Sequence, residues 1–318
     1  MSFTVERQSG AGPLSERVTF PFLSEKKRRQ SSITALTACD YVSGRIVDQA
    51  GIDVILVGDS LGMVALGYDS TLPVTLDEML HHTKAVRRGV HRALLVADMP
   101  FGTYHSDESE AVRNAIRFIK EGGAEAVKIE GCRPSLAQRL SAAEIPVVAH
   151  LGLLPQSIHR MGGYKVQGRT VAAAEALVAD ALAMEAAGAA LVVLEGIPRE
   201  VAQTITAQLR IPTLGIGAGP DCDGQILVLH DILGLTFAAE AKFVRRYADL
   251  GGQMHQAIAS YAADVREGRF PSDQESYHLS SEAIASFLPA SPGSNDGEEA
   301  TIDIEKDLPQ PVGSAGIF

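Results

Sequence analysis

The chain of 318 residues is 46% hydrophobic, 21% charged and 5% aromatic, with no tryptophan, a balance that excludes collagen-like or wholly disordered chains and fits a globular protein with a sizeable core. Its 28 basic and 39 acidic residues leave a net charge of −11, the wrong sign for neutralising phosphate backbones, so nucleic acid is not an expected partner. The length suits two average domains, or one α/β barrel of roughly 250 residues with spare chain at its ends.

Residues 1–30 mix Gly, Pro and Ser with the basic run Lys26, Lys27, Arg28 and Arg29 and keep no sustained period, which predicts a loose arm. They carry acidic residues and no apolar signal-peptide core, and no stretch of the chain approaches the ~18 apolar residues of a membrane span. No membrane association and a cytoplasmic location are expected. Cys39, Cys132 and Cys222 are odd in number and lack CxxC spacing, as reduced, buried thiols would be.

From residue 31 to 278, short apolar runs alternate with helical patterns, the βαβα signature of a parallel sheet covered by helices. The expected strands are Ile33 to Thr37, Val54 to Val57, Ala93 to Ala97, Ala126 to Ile129, Val147 to Ala149, Leu191 to Leu194 and Thr213 to Ile216, with a blurred eighth near residues 226–238. The helices between them carry their own punctuation. Thr75 with Glu78 forms a capping-box pattern, and Gly89 stands where a C-cap belongs. Asp107 with Glu110 opens a helix that Gly122 and Gly123 stop, and Pro134 suits the first turn of the next. The Ala-rich run from Thr170 ends at Gly188, and Met254, Ile258, Tyr261 and Val265 mark a closing helix. From about residue 279 the chain turns to Ser, Pro, Gly and acidic residues, which predicts a disordered tail over 279–318.

An open doubly wound sheet shares this alternation, but the first βα turn lacks the GxGxxG fingerprint. Eight βα units in some 250 residues predict a closed (β/α)8 TIM barrel.

In such a barrel the active site gathers at the carboxyl ends of the strands. Here the second strand runs into Asp59 and Ser60, the third ends at Asp98, and the fourth carries Lys128 and Glu130. The fifth gives His150 and the sixth Glu195. Any one of these alone is more simply a helix cap or turn former. Together they converge on one barrel mouth. Asp59, Asp98 and Glu130 are hard oxygen ligands of the kind that hold Mg²⁺. Lys128 alternates with Glu130, so both face inward, where they bind an anionic substrate or, on the competing reading, form a core ion pair. Glu195, after an apolar run, is suited to a general base, with His150 as its hydrogen-bonding companion. His81, His82 and His91 are expected in packing or surface roles. Gly215, Gly217 and Gly219 read equally as an anion-binding loop or a tight turn, and the Gly-rich segment from Leu151 to Arg169 as a lid or cofactor-contacting loop.

Several longer motifs are specific in combination: VGDSLGM at 57–63, GYDSTLPVT at 67–75, LLVADMPFGTY at 94–104, VKIEG at 127–131, HLGLLPQS and GGYKVQGR within 150–169, LVVLEGIP at 191–198 and IPTLGIGAGPDCDGQILVLHD at 211–231. The chain thereby resembles the ketopantoate hydroxymethyltransferases over about residues 31–278. The resemblance implies a Mg²⁺-dependent barrel of the phosphoenolpyruvate mutase/isocitrate lyase type. It implies transfer of a hydroxymethyl group from 5,10-methylenetetrahydrofolate to 3-methyl-2-oxobutanoate, giving 2-dehydropantoate and tetrahydrofolate on the route to pantothenate and coenzyme A. It also implies a homo-oligomer, commonly a decamer. On the matching positions Asp59 and Asp98 are metal carboxylates and substrate contacts, with Glu130 as a further ligand or near-ligand. Ser60 and Lys128 contact substrate, and Glu195 is the base with His150 nearby. The alternatives are a Mg²⁺-dependent carbon–carbon lyase or mutase acting on an oxo acid, whose usual catalytic-loop Cys motif is not visible, and a catalytically inactive oxo-acid-binding barrel.

Overall fold

The computed structural model describes residues 16–237 and 241–287. In chain order the main elements are α1 (Phe20–Arg28), β1 (Ile33–Thr37), α2 (Tyr41–Gln49), β2 (Val54–Val57), α3 (Leu61–Val64), α4 (Leu76–Gly89), β3 (Leu94–Asp98), α5 (Glu108–Arg117), β4 (Ala126–Glu130) and α6 (Pro134–Ala142). There follow β5 (Val147–Gly152), α7 (Ile158–Met161), α8 (Val171–Ala186), β6 (Ala189–Glu195), α9 (Arg199–Gln208), β7 (Thr213–Ile216), β8 (Gly224–Leu227), α10 (Leu229–Ile232), α11 (Leu250–Arg266) and α12 (Ser281–Phe287). The eight strands are parallel and close on themselves in sequence order, β1 pairing with both β2 and β8. This is the expected (β/α)8 barrel.

Local chemistry explains the helix ends. Thr75 and Glu78 exchange the hydrogen bonds of a capping box at the start of α4, a cap worth about 1 kcal/mol. Asp107 accepts from the Glu110 N–H, and Thr170 from the Ala173 N–H. Gly89 ends α4 for a reason other than capping. It is the last helical residue, and a Cβ there would stand 2.6 Å from the Tyr41 carbonyl oxygen of α2, so the close crossing of α2 and α4 demands it.

Inward and outward strand residues build two cores. Outward, Ile55, Leu95, Val127, Ala149 and Val192 join one buried cluster with Met79, Val86, Phe118, Leu140 and Met184. Inward, Ile33, Ala35, Val54, Leu56, Leu94, Val96, Ala126, Val148, Leu191, Val193, Leu214 and Ile226 fill the barrel, the layered packing of alternating positions.

Several expectations change. Residues 20–28, placed within a loose arm, are α1, and Val18 just before it and Leu23 within it are fully buried in the inner core. Lys26 and Lys27 of α1 pair with Asp53 at 2.6 Å and Asp223 at 2.7 Å, just before β2 and β8, so the basic run closes the amino end of the barrel. The eighth strand lies at Gly224–Leu227 rather than 226–238, because its Gly and Gln carry no apolar run. Cys132 is exposed and Cys222 half-buried; only Cys39 is buried.

By compactness the chain divides into residues 1–251 and 252–318, inside the span of 31–278 expected for the barrel. The first unit holds all eight strands. In the second, Met254, Ile258, Tyr261 and Val265 share the helix that was expected, yet they are between 46% and 63% exposed. Residues 281–287 of the expected tail form α12, and residues 288–318 lie outside the described residues. Among those described, no helix is long and apolar enough to cross a membrane.

Candidate active site

The alternation that fills the barrel also builds its mouth. Two residues beyond the inward Val96 stands Asp98; beyond Ala126 come Lys128 and then Glu130; beyond Val148, His150; beyond Val193, Glu195. One face of each strand is therefore apolar at depth and ionisable at its carboxyl end. Asp59 and Ser60 join from the turn between β2 and α3. All seven expected residues line one cavity of about 480 Å³. Asp59, Asp98, Lys128, Glu130 and His150 are buried, and the Glu195 side chain is 17% exposed.

The contacts are dense. Lys128 Nζ lies 2.6 Å from Asp98 Oδ1, and Asp98 Oδ2 accepts from the Asp59 N–H at 3.0 Å. His150 Nε2 faces Glu195 Oε2 at 3.1 Å, while its Nδ1 stands 3.3 Å from Lys128 Nζ and 3.4 Å from Glu130 Oε1. Four carboxylates thus surround one lysine and one histidine. Burial, followed by the Asp98 charge, pushes the Asp59 carboxyl well up. Burial also raises Asp98, against the opposing pull of Lys128. Burial disfavours a charged Lys128, but Asp98, Glu130 and Asp59 outweigh it and keep the ammonium. For His150, burial and the Lys128 charge are overcome by Glu130 and Glu195, and it is pushed up to about 9.

Asp98 Oδ1, Glu130 Oε1 and His150 Nε2 are fully buried and engaged only through the ion pairs just given. Four carboxylates against one ammonium and one imidazole leave an excess of buried negative charge, which suits a divalent cation and an anionic ligand that brings its own oxygen atoms. Among the described residues no group of three His, Cys, Asp or Glu side chains is arranged to hold a metal by itself. Asp59 and Asp98 turn carboxylates to the cavity, whereas Glu130 Oε2 accepts from the Gln156 N–H at 3.0 Å and its Oε1 faces His150.

Two residues that brace the candidate site escaped sequence reasoning. The Gln156 side-chain amide donates to Asp59 Oδ2 at 2.8 Å and to the Met99 carbonyl at 3.0 Å, and its Oε1 accepts from Tyr104 OH at 2.6 Å. Tyr104 OH in turn accepts from the Glu130 N–H at 3.0 Å. Both lie inside motifs quoted above, but a Tyr in a loop and a Gln in a lone turn carry no periodic signal. The segment from Leu151 to Arg169 is less a free loop than expected: β5 runs to Gly152, residues 155–157 make a 3-10 turn around buried Gln156, and α7 follows. Gly215, Gly217 and Gly219 pack against Cys222, Phe243 and Arg199, and none lines the cavity. His82 turns its ring to the Cys39 carbonyl, a packing role.

The sequence profile of ketopantoate hydroxymethyltransferase matches residues 17–273. This chain belongs to the ketopantoate hydroxymethyltransferase family. It is accordingly an enzyme, a one-carbon transferase. Among the most similar relatives, the 3-methyl-2-oxobutanoate hydroxymethyltransferase of Koribacter versatilis is 61% identical over 278 residues, covering 87% of this chain and 94% of that protein. The protein of the same name from Pelobacter propionicus is 53% identical over 265 residues, 83% of this chain and 98% of its own. Among solved structures, 2,3-dimethylmalate lyase, a PEP mutase/isocitrate lyase superfamily member, matches with a TM-score of 0.53 at 18% identity over 81% of this chain and 91% of its own. Phosphonopyruvate hydrolase matches with a TM-score of 0.53 at 14% identity over 84% of this chain and 94% of its own. These likenesses give the family its barrel type.

Proposed function

We propose that this chain transfers a hydroxymethyl group from 5,10-methylenetetrahydrofolate to 3-methyl-2-oxobutanoate, giving 2-dehydropantoate and tetrahydrofolate in pantothenate synthesis. The reading is carried by one observation: six ionisable groups from five strand ends converge on a single, largely buried cavity. Asp59 and Asp98 are the residues that would hold Mg²⁺, with Glu130 acting behind them through His150 and Gln156. A bound Mg²⁺ supplies Lewis-acid polarisation of the keto acid, worth several kcal/mol of charge stabilisation.

The chain's own groups do the rest. Lys128, kept charged by its carboxylates, and Ser60 orient the anionic substrate. Glu195 takes the C3 proton, a step in which a positioned base contributes about 10²- to 10⁴-fold, and His150 at 3.1 Å holds that carboxylate in place. C3 then bonds to the donor's methylene carbon as the first of that carbon's two carbon–nitrogen bonds breaks, its nitrogen keeping the electron pair and taking a proton. Water supplies the hydroxyl as the remaining carbon–nitrogen bond breaks, and the freed nitrogen keeps the electron pair and takes a proton. One water is consumed and no oxidation occurs. The lyase, mutase and inactive-barrel readings draw no observation in their favour. A cytoplasmic homo-oligomer, a decamer in line with the family resemblance, completes the proposal.

The test follows C3–H exchange of 3-methyl-2-oxobutanoate in D₂O by NMR, without folate. Mg²⁺-dependent exchange that EDTA abolishes is expected, falling at least about 100-fold in Glu195→Ala. Exchange undiminished in that variant overturns the assignment of the base. Added methylenetetrahydrofolate then yields 2-dehydropantoate.

A further inference from the structure

The cavity of about 480 Å³ lies in the range of pockets that enclose drug-sized ligands, roughly 300–1,000 Å³; the small keto acid fills only part of it. Its wall has two halves. The charged half comes from the ends of β3 to β6. The other half, from β7, β8 and the chain after them, is formed by Ile216, Ile226, Val228 and Phe243, with Asp231 among them.

We infer that this second half, with Phe243 in its wall and Asp231 at its edge, receives the pterin ring of the one-carbon donor. The inference rests on the proposed reaction and deepens it by giving the donor a place. Phe243 is seated on Gly217, whose φ is +60° and where a Cβ would come within 2.6 Å of the ring. A glycine is needed for that seat, and the ring stays 40% exposed. Tyr164, 50% exposed, stands at the same cavity with its OH 3.7 Å from the Met63 sulfur. Two uncovered aromatic faces at one mouth suit a flat heteroaromatic ring. Asp231 supplies the specificity. Its Oδ1 accepts from Thr236 Oγ1 at 2.6 Å, and among the described residues no hydrogen bond reaches its Oδ2. A carboxylate there repels the anionic keto acid. The amino-pyrimidinone edge of a pterin instead presents two adjacent N–H donors, matching a carboxylate's two oxygens.

The experiment pairs two readouts on Asp231→Asn and Phe243→Ala: the KM for methylenetetrahydrofolate in the full reaction, and the keto acid's C3–H exchange without donor. Expected is a donor KM raised about tenfold in each variant, restored toward wild type in Phe243→Tyr, with the exchange half-reaction within about twofold of wild type. A donor KM unchanged in both variants overturns the subsite, as does an equal fall in exchange and transfer. Titration of tetrahydrofolate into the protein, read by its fluorescence, separates the two proposals. Folate binding that weakens in Asp231→Asn upholds the subsite even if the wild type shows no exchange, a result that would overturn only the proposed chemistry.

Discussion

At the residue scale, Tyr104 and Gln156 decide how the carboxylates are presented. Gln156 occupies Asp59 Oδ2 with its side-chain amide and Glu130 Oε2 with its backbone N–H, and Tyr104 locks the side-chain amide in the orientation that lets it donate to Asp59 and to the Met99 carbonyl. Tyr104→Phe removes the hydroxyl that bridges the Gln156 amide oxygen and the Glu130 N–H. It is expected to cost about 1–3 kcal/mol of stability and, as the loss of a group that orients others, to lower turnover about 10- to 100-fold. Chemical denaturation and steady-state kinetics check the two effects. Direct measurement of Mn²⁺ affinity by electron paramagnetic resonance separates metal presentation from folding. The seven ionisable and hydroxyl residues were legible because strand periodicity and strand ends announce them. The hydrogen bonds of Tyr104 and Gln156 span 26 to 97 residues of sequence, a separation over which no local pattern carries information.

At the scale of elements, strands and capped helices follow from apolar runs and short-range side-chain chemistry, and the start of α4 was readable to the residue. The helix α1 was not. Only nine residues long, with a strongly basic last turn, it owes its order to burial of Leu23 and to ion pairs with Asp53 and Asp223. Lys26 at 2.6 Å, the Thr34 N–H and Arg92 hold the Asp53 carboxyl below its ordinary value, against the effect of burial. A carboxyl lowered in the folded protein stabilises it above the unfolded value, and that contribution is lost as pH falls through the lowered one. Lys26→Met is therefore expected to cost about 1–3 kcal/mol at neutral pH and much less in acid, where Asp53 is already protonated. Urea unfolding at both pH values reads the difference, and an equal loss at the two would refute it.

At the scale of the whole molecule, the helix α11 presents Met254, Ile258, Tyr261 and Val265 to solvent, an apolar stripe unusual for a lone soluble chain. If the proposed homo-oligomer uses this stripe, Ile258→Asp is expected to shift the assembly to smaller species in sedimentation velocity while the C3–H exchange persists. Unchanged sedimentation would assign the interface elsewhere. The barrel and the candidate site at the carboxyl ends of its strands were determined by the sequence alone, because period-two burial and strand-end polarity are local properties that βα units repeat. The tertiary structure decided which side chains meet: the plug of α1, the Tyr104–Gln156 brace, and a cavity charged on one side and largely apolar on the other. Those depend on closure of the barrel, which brings residues far apart in the chain into hydrogen-bonding distance and fixes their burial.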